Sequence, residues 1–246
     1  MMEFSLVTSC FNNTNEISEF CNRSINILDK EFHEYEIILV NDASNDDTMM
    51  KIRSLCKKNK KIKALNLRRN LGQHYSIYHG LFLSKGKYVA VLDSDLEDDI
   101  YFLKTLIKKK TNNKAIFVQQ KKIKNNLLSF LFWNFLSIVS LKKFDTETST
   151  FFIAPRNYVD KLKKLGLIAF AKADLKFLNL KITYLKNKKI KNSSRVSSYN
   201  YFKLLKLAFS HILRYNLISL FSIKYLKINF FIKNFKKEHI KESINF

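Results

Sequence analysis

Carboxylate side chains follow two predicted buried strands at the points where those strands end. Asp42 comes after the predicted strand at residues 35–40, and Asp93 and Asp95 come after the one at residues 88–92. In open α/β sheets, ligands bind outside the carboxyl ends of the strands. We therefore expect Asp42 to accept hydrogen bonds from a nucleobase or a ribose, and the Asp93 and Asp95 pair to bind a divalent cation.

The two carboxylates of this pair are separated only by Ser94, which keeps both of them near the end of the strand. Mg²⁺ binds proteins through one or two carboxylates, and substrate phosphates and waters complete its shell. We predict that Asp93 and Asp95 hold Mg²⁺ or Mn²⁺, which would neutralise a departing nucleotide diphosphate. The simpler alternative is a solvated acidic loop, because three further acids follow at residues 97–99.

Two other loops carry candidate binding residues. Ser44 lies in a small polar cluster after Asp42, and Arg69, Asn70 and Gly72 lie between the third predicted strand and the third predicted helix. Glycine permits a close approach of the backbone, and arginine can bind a nucleotide phosphate or base. A plain turn with a helix cap is the alternative for each loop, since it prefers the same small polar residues.

Alternating strand and helix patterns indicate the fold that must position these loops. Apolar strands are predicted at residues 4–9, 35–40, 62–67 and 88–92, and helices at 15–28, 46–56 and 73–84. This alternation is typical of βαβ units, so we predict an α/β fold with a mostly parallel sheet flanked by helices. After about residue 125 the alternation fades, and apolar-basic helical patterns replace it.

Three segments of the first hundred residues resemble those of family-2 glycosyltransferases. Residues 40–48 resemble the segment V-D-D-G-S-x-D-x-T, Asn70 and Gly72 with Gly80 resemble N-x-G…G, and residues 86–96 resemble G-x-Y-(apolar)-D-x-D-L. The resemblance implies a Rossmann-like GT-A fold and a metal-dependent, inverting, hexosyltransferase-like enzyme with a nucleotide diphosphate sugar as donor. Asn12 stands at the Asn of the family's Y-N-E loop. The implied nucleotide-sugar contacts are Asn12, Asp42, Ser44, Arg69, Asn70, Gly72, Asp93 and Ser94.

A second likeness points to the polyprenyl-phosphate branch, which includes enzymes like dolichol-phosphate-mannose synthase. Residues 148–160 resemble its acceptor-site pattern F-x-L-x-x-R-x-x-V, and residues 195–199 resemble its R-x-x-G-x-S-x-Y loop. The likeness implies a polyprenyl phosphate acceptor and assigns Arg195 to a diphosphate or lipid phosphate. Asp145 and Glu147, just before the acceptor-like strand, are the candidate catalytic carboxylates. A solvated loop is the alternative for that pair.

The charge distribution predicts a polyanionic partner. The net charge is +23, and 15 Lys or Arg but no acid occur between Asp174 and Glu238. Residues 201–223 combine a basic stripe with a broad apolar face, which suits an interfacial helix at anionic lipid, and residues 125–141 are also amphipathic. The alternative is that both helices pack on the core of the domain with a solvated face. We expect a GT-A catalytic domain at 1–195 and a basic amphipathic, membrane-associated helical region at 196–246.

These features lead to one main hypothesis and two alternatives. No apolar run reaches 18 residues, no signal peptide is evident, and the three cysteines form no metal or disulfide framework. We predict a cytoplasmic enzyme, peripheral at the inner face of the plasma membrane, that transfers a sugar to polyprenyl phosphate. One alternative is a glycosyltransferase that extends a cell-surface polysaccharide or lipopolysaccharide glycan. The distant one binds nucleic acid, a partner we do not expect because no helix-turn-helix, zinc finger or RNP motif is evident.

Overall fold

The computed structural model of the chain describes residues 1–120, 134, 148–165, 181–188 and 239–246. In its first part, strands and helices alternate in the order β1 Phe4–Cys10, α1 Ile17–Glu31, β2 Tyr35–Asn41, α2 Thr48–Lys58, β3 Ile62–Leu67, α3 Gln73–Leu83 and β4 Tyr88–Val91. The elements that follow are α4 Phe102–Lys109, β5 Ala115–Gln120, β6 Thr148–Pro155, α5 Arg156–Leu165, β7 Ile182–Asn187 and β8 Ile240–Ile244.

The eight strands form a single sheet in the order β7-β5-β6-β4-β1-β2-β3-β8. Strands β4, β1, β2 and β3 are parallel neighbours. Strand β6 runs antiparallel to β4 and β5, and β8 runs antiparallel to β3. The predicted α/β architecture with a mostly parallel sheet is therefore confirmed.

Burial on both faces of the sheet explains why its central strands carry apolar residues on both faces. Along β1, Leu6 packs with α1 and α2 on one face, and the next residue, Val7, packs with α3 on the other. The cysteines Cys10, Cys21 and Cys56 are buried and free, as expected for reduced apolar thiols. Burial raises the pKa of the Cys10 thiol to about 12, so this thiol stays neutral at the end of β1.

Helix α3 lies close to the sheet because Gly80 has no side chain. A Cβ at this position would lie 3.0 Å from Val40 Cγ2 and closer still to Val7 Cγ1. The absence of a side chain therefore lets α3 approach β1 and β2 closely.

The C-terminal residues form a strand where a helical pattern was predicted. Residues 240–244 were assigned to a helical C-terminal region, but they form β8 at the edge of the sheet, beside β3. The Asn245 side-chain amide donates to the carbonyls of Cys56 and Ile62, at 2.9 and 2.8 Å, and fastens this strand to the domain. A five-residue strand with partly exposed, alternating side chains gives too weak a period to distinguish it from a helix end.

The predicted amphipathic helices at 125–141 and 201–223 lie outside the described residues. Among the residues that the structure does describe, no helix has the length and apolar character needed to cross a membrane.

Candidate active site

The predicted ligand-binding residues lie at the carboxyl edge of the parallel strands. Asn12 follows β1, Asp42 follows β2, Asn70 follows β3, and Asp93 follows β4. These four strands are neighbours in the sheet and run in the same direction. Strand β6 is antiparallel to β4, so its first residue, Thr148, lies at this edge as well.

Asp42 holds the turn that begins helix α3. Its Oδ1 accepts the backbone N–H of Leu71, and its Oδ2 accepts the backbone N–H of Gly72, both at 2.8 Å. Burial raises the pKa of the Asp42 carboxyl, since the side chain is only 2% exposed, and the hydrogen bonds from Leu71, Ser76 and Gly72 oppose that rise. The structure thus brings Asp42 and Gly72, which were predicted from separate loops, into direct contact.

Gly72 adopts a backbone conformation that favours glycine. Its φ is +92°, and an added Cβ would find no atom within 4 Å. The constraint at this position is therefore the backbone dihedral and not crowding. Arg69 and Asn70, which precede Gly72 in the same loop, are exposed at this edge of the sheet.

Asn12 and Ser44 join the first and second loops to each other. The Asn12 N–H donates to Ser44 Oγ at 3.0 Å, and the Asn12 side-chain oxygen accepts the N–H of Asn45 at 3.0 Å. Ser44 Oγ donates in turn to the side-chain oxygen of Asn41. Ala43, which stands where the family segment has glycine, has a φ of +55°, so the tight turn persists without glycine.

Asp93 is hydrogen-bonded from two sides. Its Oδ1 accepts the side-chain amide of Gln73 at 2.8 Å, and its Oδ2 accepts the hydroxyl of Thr150 at 3.0 Å. Ser94 is buried, and its hydroxyl donates to the Ser9 carbonyl at 3.0 Å. The hydroxyl of Ser94 therefore fastens the end of β4 to β1, whereas Asp93 lies half-buried at the edge.

The acids after β4 have different environments. Asp95 is half-exposed, and its Oδ1 accepts the N–H of Glu97 at 3.1 Å. Asp98 is buried and accepts a hydrogen bond from the side-chain amide of Gln120 at the end of β5. The segment is therefore not a uniformly solvated acidic loop, because one acid supports the sheet while Asp93 and Asp95 lie at its edge.

The chemistry of the donor set fits a cation that binds together with a phosphorylated ligand. Among the described residues, no group of three or more His, Cys, Asp or Glu side chains forms a complete metal cage. Asp93 and Asp95 offer hard oxygen ligands, and Mg²⁺ commonly uses one or two carboxylates with phosphates and waters.

Three predicted site residues lie outside the described part of the chain. They are Asp145, Glu147 and Arg195. Sequence analysis missed Gln73 and Thr150, which contact Asp93, and also Phe11, an aromatic residue that is 36% exposed at the end of β1. The sequence shows Gln73 as a polar residue at the start of a helix and Thr150 as a polar residue inside an apolar strand. Neither pattern indicates that the side chain contacts Asp93.

Comparisons with known proteins show the family to which this chain belongs. Residues 5–170 match the family described as Glycosyl transferase family 2. An uncharacterized glycosyltransferase of Synechocystis is 24% identical over 226 residues, which is 89% of this chain and 71% of that protein. An undecaprenyl-phosphate 4-deoxy-4-formamido-L-arabinose transferase of Edwardsiella ictaluri is 35% identical over 95 residues, which is 38% of this chain and 29% of that protein.

A solved structure has the same fold. It is glucosyl-3-phosphoglycerate synthase from Mycobacterium tuberculosis in complex with Mn²⁺, UDP-glucose and phosphoglyceric acid. The TM-score is 0.63 at 16% identity, and the match covers 87% of this chain and 80% of the synthase.

Proposed function

This chain belongs to glycosyl transferase family 2 and has the GT-A fold, and from that premise we propose that it transfers a sugar from a nucleotide diphosphate sugar to a polyprenyl phosphate. One observation supports the part of this proposal that concerns the nucleotide diphosphate sugar. Asp42 holds Leu71 and Gly72, and the next residue, Gln73, contacts Asp93. The buried carboxylate of Asp42 and the proposed metal ligand Asp93 therefore belong to one hydrogen-bonded unit at the carboxyl edge of the sheet.

The nucleotide would bind between the loops after β1, β2 and β3. The exposed ring of Phe11 offers a surface on which a base can stack, since every base has a π-face. Asp42 retains acceptor capacity after its bonds to Leu71, Gly72 and Ser76, because an ionised carboxylate has about four acceptor sites. The proposed contacts of the nucleotide sugar are Asn12, Asp42, Ser44, Arg69, Asn70, Gly72, Asp93, Ser94 and Arg195.

Asp95, with Asp93, would hold Mg²⁺ or Mn²⁺ against the diphosphate, and a cation bound there supplies positive charge for the leaving group. The chain's own part is to fix these two carboxylates at the end of β4. The Ser94 hydroxyl, between the two acids, donates to the Ser9 carbonyl of β1. Gln73 and Thr150 donate hydrogen bonds to the Asp93 carboxylate itself. The complex of the mycobacterial synthase with Mn²⁺ and UDP-glucose supports this choice of ligand.

The proposed reaction forms a bond between an acceptor oxygen and the anomeric carbon while the bond from that carbon to the diphosphate breaks, with inversion. A phosphate acceptor is already anionic, so it needs little help from a base, whereas a hydroxyl acceptor requires one. Glu147 directly precedes β6, and Thr150 of that strand contacts Asp93. This proximity in sequence supports Asp145 and Glu147 as acceptor-side carboxylates. The undecaprenyl-phosphate transferase among the relatives supports the lipid acceptor.

We also propose that this edge of the sheet faces the inner surface of the cytoplasmic membrane. Strand β7 ends at the carboxyl edge and β8 begins there, because β7 is parallel to β5 and β8 is antiparallel to β3. The intervening residues 189–238 contain eleven Lys or Arg and a single acid. A basic segment with both ends at the ligand-binding edge would bring anionic lipid, and with it a lipid phosphate, to the donor.

Vesicle sedimentation tests the membrane proposal. The purified chain should co-sediment with vesicles that contain acidic lipid, and high salt should weaken this binding. Changing Lys203, Lys206 and Arg214 together to Gln should reduce vesicle binding while nucleotide binding stays unchanged. A wild-type chain that ignores acidic vesicles at low salt would argue for a soluble or pre-assembled glycan acceptor.

A donor screen followed by a partition assay tests the reaction. Thermal shift with a panel of nucleotide sugars, each with Mg²⁺ or Mn²⁺, identifies the donor as the compound that raises the melting temperature most. Radiolabel from that donor should then enter the organic phase when polyprenyl phosphate is added. If the label partitions with glycan instead, the result would favour an enzyme that extends a cell-surface polysaccharide or lipopolysaccharide. DNA binding with a steep salt dependence and no nucleotide-sugar affinity would refute the enzyme assignment.

A further inference from the structure

We propose that Gln73 and Thr150 are positioning residues that fix the Asp93 carboxylate for a metal–diphosphate complex. The inference rests on the proposed function, because it assigns a purpose to the orientation of a carboxylate in that site. Gln73 is not one of the matched positions of the N-x-G…G segment, and Thr150 precedes the F-x-L-x-x-R-x-x-V pattern within residues 148–160. The supporting observation is the geometry around Asp93, whose two carboxylate oxygens accept hydrogen bonds from Gln73 and Thr150.

Gln73 reaches Asp93 from the donor side of the site. It is the first residue of α3, and it follows Gly72, whose N–H is held by Asp42. The side chain of Gln73 therefore starts from a backbone position that is already fixed by β2. Its amide donates to Asp93 Oδ1 over 2.8 Å, a normal length for a neutral donor and a carboxylate.

Thr150 reaches Asp93 from the opposite side, where the acceptor-like strand lies. Val91 of β4 pairs with Phe152 of β6 in an antiparallel register. Two further steps along the same register bring residue 93 opposite residue 150, and the Thr150 hydroxyl donates to Asp93 Oδ2 over 3.0 Å. The contact is therefore a consequence of strand pairing and not of a flexible loop.

Both donors are uncharged, and this property suits a metal ligand. An amide and a hydroxyl fix the plane of the carboxylate without bringing a positive charge to it, whereas Lys or Arg in their place would compete with a cation. Hydrogen-bonded partners of this kind orient ligating carboxylates and tune metal affinity.

The arrangement also joins the two halves of the proposed reaction. Asp42, Gly72, Gln73, Asp93 and Thr150 form an unbroken series of covalent and hydrogen-bonded neighbours from β2 to β6. Strand β6 begins directly after Glu147, one of the two proposed acceptor-side carboxylates. A change at Thr150 therefore affects this strand as well as the orientation of Asp93.

Calorimetry with UDP as the probe tests this inference on the full chain. The quantity measured is the ratio of the UDP dissociation constant in EDTA to that in Mn²⁺. Thr150→Val and Gln73→Met remove one donor each at nearly constant volume, and each should lower this ratio by about tenfold. Thr150→Ser keeps a hydroxyl and should retain most of the wild-type ratio. Melting curves verify that each variant is folded.

Two matched variants separate positioning from general damage. Ser149→Ala removes side-chain hydrogen bonds on the same strand that do not involve Asp93, and Tyr75→Phe changes an exposed hydroxyl on α3. Both should keep the wild-type ratio. The inference fails if Thr150→Val and Gln73→Met keep it too, or if Ser149→Ala lowers it equally. A wild-type chain whose UDP affinity ignores Mn²⁺ would instead refute the proposed metal site, and the inference with it.

Discussion

The Asp42 carboxylate accepts the backbone N–H of Gly72 at 2.8 Å, although the two residues are 30 positions apart in the chain. The same carboxylate accepts the N–H of Leu71. Because the side chain is buried, these bonds join the end of β2 to the turn that begins α3 as one rigid unit. A nucleotide that contacts Asp42 therefore binds to a surface whose shape is fixed before the nucleotide arrives.

The first prediction concerns this unit. Asp42→Ala should weaken the binding of UDP by about 1–3 kcal/mol, because two partly buried backbone donors and the ligand lose their acceptor. Isothermal calorimetry with UDP and Mn²⁺ provides the measurement. Asp42→Asn is the matched variant, since it keeps the shape but replaces one acceptor with a donor. Unchanged affinity in both variants would show that Asp42 only stabilises the turn.

The second prediction concerns Gly80. Gly80→Ala should lower the free energy of unfolding by about 1–3 kcal/mol, because the new methyl group would overlap Val7 and Val40. Urea denaturation measures this change. Gly72→Ala is a useful comparison, since its methyl group meets open space while its backbone becomes strained at φ +92°. If Gly80→Ala is as stable as the wild type, α3 does not pack as closely on the sheet as described.

Much of this fold could be predicted because its signals are local. The strand at Ile62–Leu67 has the predicted limits, and the helix at Gln73–Leu83 differs by one residue, since apolar periodicity and Gly72 mark their ends. The contact between Asn12 and Ser44 was not predictable, although each residue was assigned to the site separately. Their hydrogen bond depends on how the loops of neighbouring strands meet, which no local pattern encodes.

The same reason explains the missed contacts of Asp93. Thr150 lies 57 residues further along the chain, and its proximity follows only from the antiparallel pairing of β6 with β4. A regular βαβ alternation predicts parallel neighbours, so it gives no indication of this pairing. Strand β8 was missed because its partner, β3, is far away in sequence and its own pattern is short.

The third prediction concerns pH. Burial lowers the pKa of His79 below its ordinary value of 6.5, and the nearby His239 ring, whose centroid is 5.8 Å away, adds to this effect. The Tyr75 carbonyl and Asp42 oppose it. The folded chain therefore prefers the neutral imidazole. Its stabilising effect is present above pH 6.5 and is lost as the pH falls from there towards the lowered pKa, because the unfolded chain binds the proton more readily.

Melting temperatures of the wild type and His79→Gln between about pH 7.5 and about pH 5 measure this effect. The wild type should lose more stability on acidification than the variant does. The raised pKa of Asp42 acts in the opposite direction, since it makes the fold less stable as the pH rises above 3.8. Parallel pH profiles for the two proteins would show that His79 does not titrate on unfolding.

The fourth prediction concerns the C-terminal strand. Asn245→Ala should lower the free energy of unfolding by about 1–3 kcal/mol, because the carbonyls of Cys56 and Ile62 lose their shared donor. Lys241→Ala, an exposed change on the same strand, should have little effect. Urea denaturation compares the two. Equal stability of both variants would mean that β8 is not an integral part of the catalytic sheet.

A single transfer assay tests whether Asp95 and a divalent cation act together in sugar transfer. The donor that most stabilises the wild type is incubated with Mn²⁺ and undecaprenyl phosphate, and radiolabelled sugar is followed into the organic phase. We predict that the wild type and Asp99→Asn, a control in the same acidic loop, transfer label. EDTA or Asp95→Asn should nearly abolish transfer while the melting temperature stays near that of the wild type. Transfer by Asp95→Asn at the wild-type rate in EDTA would contradict the account.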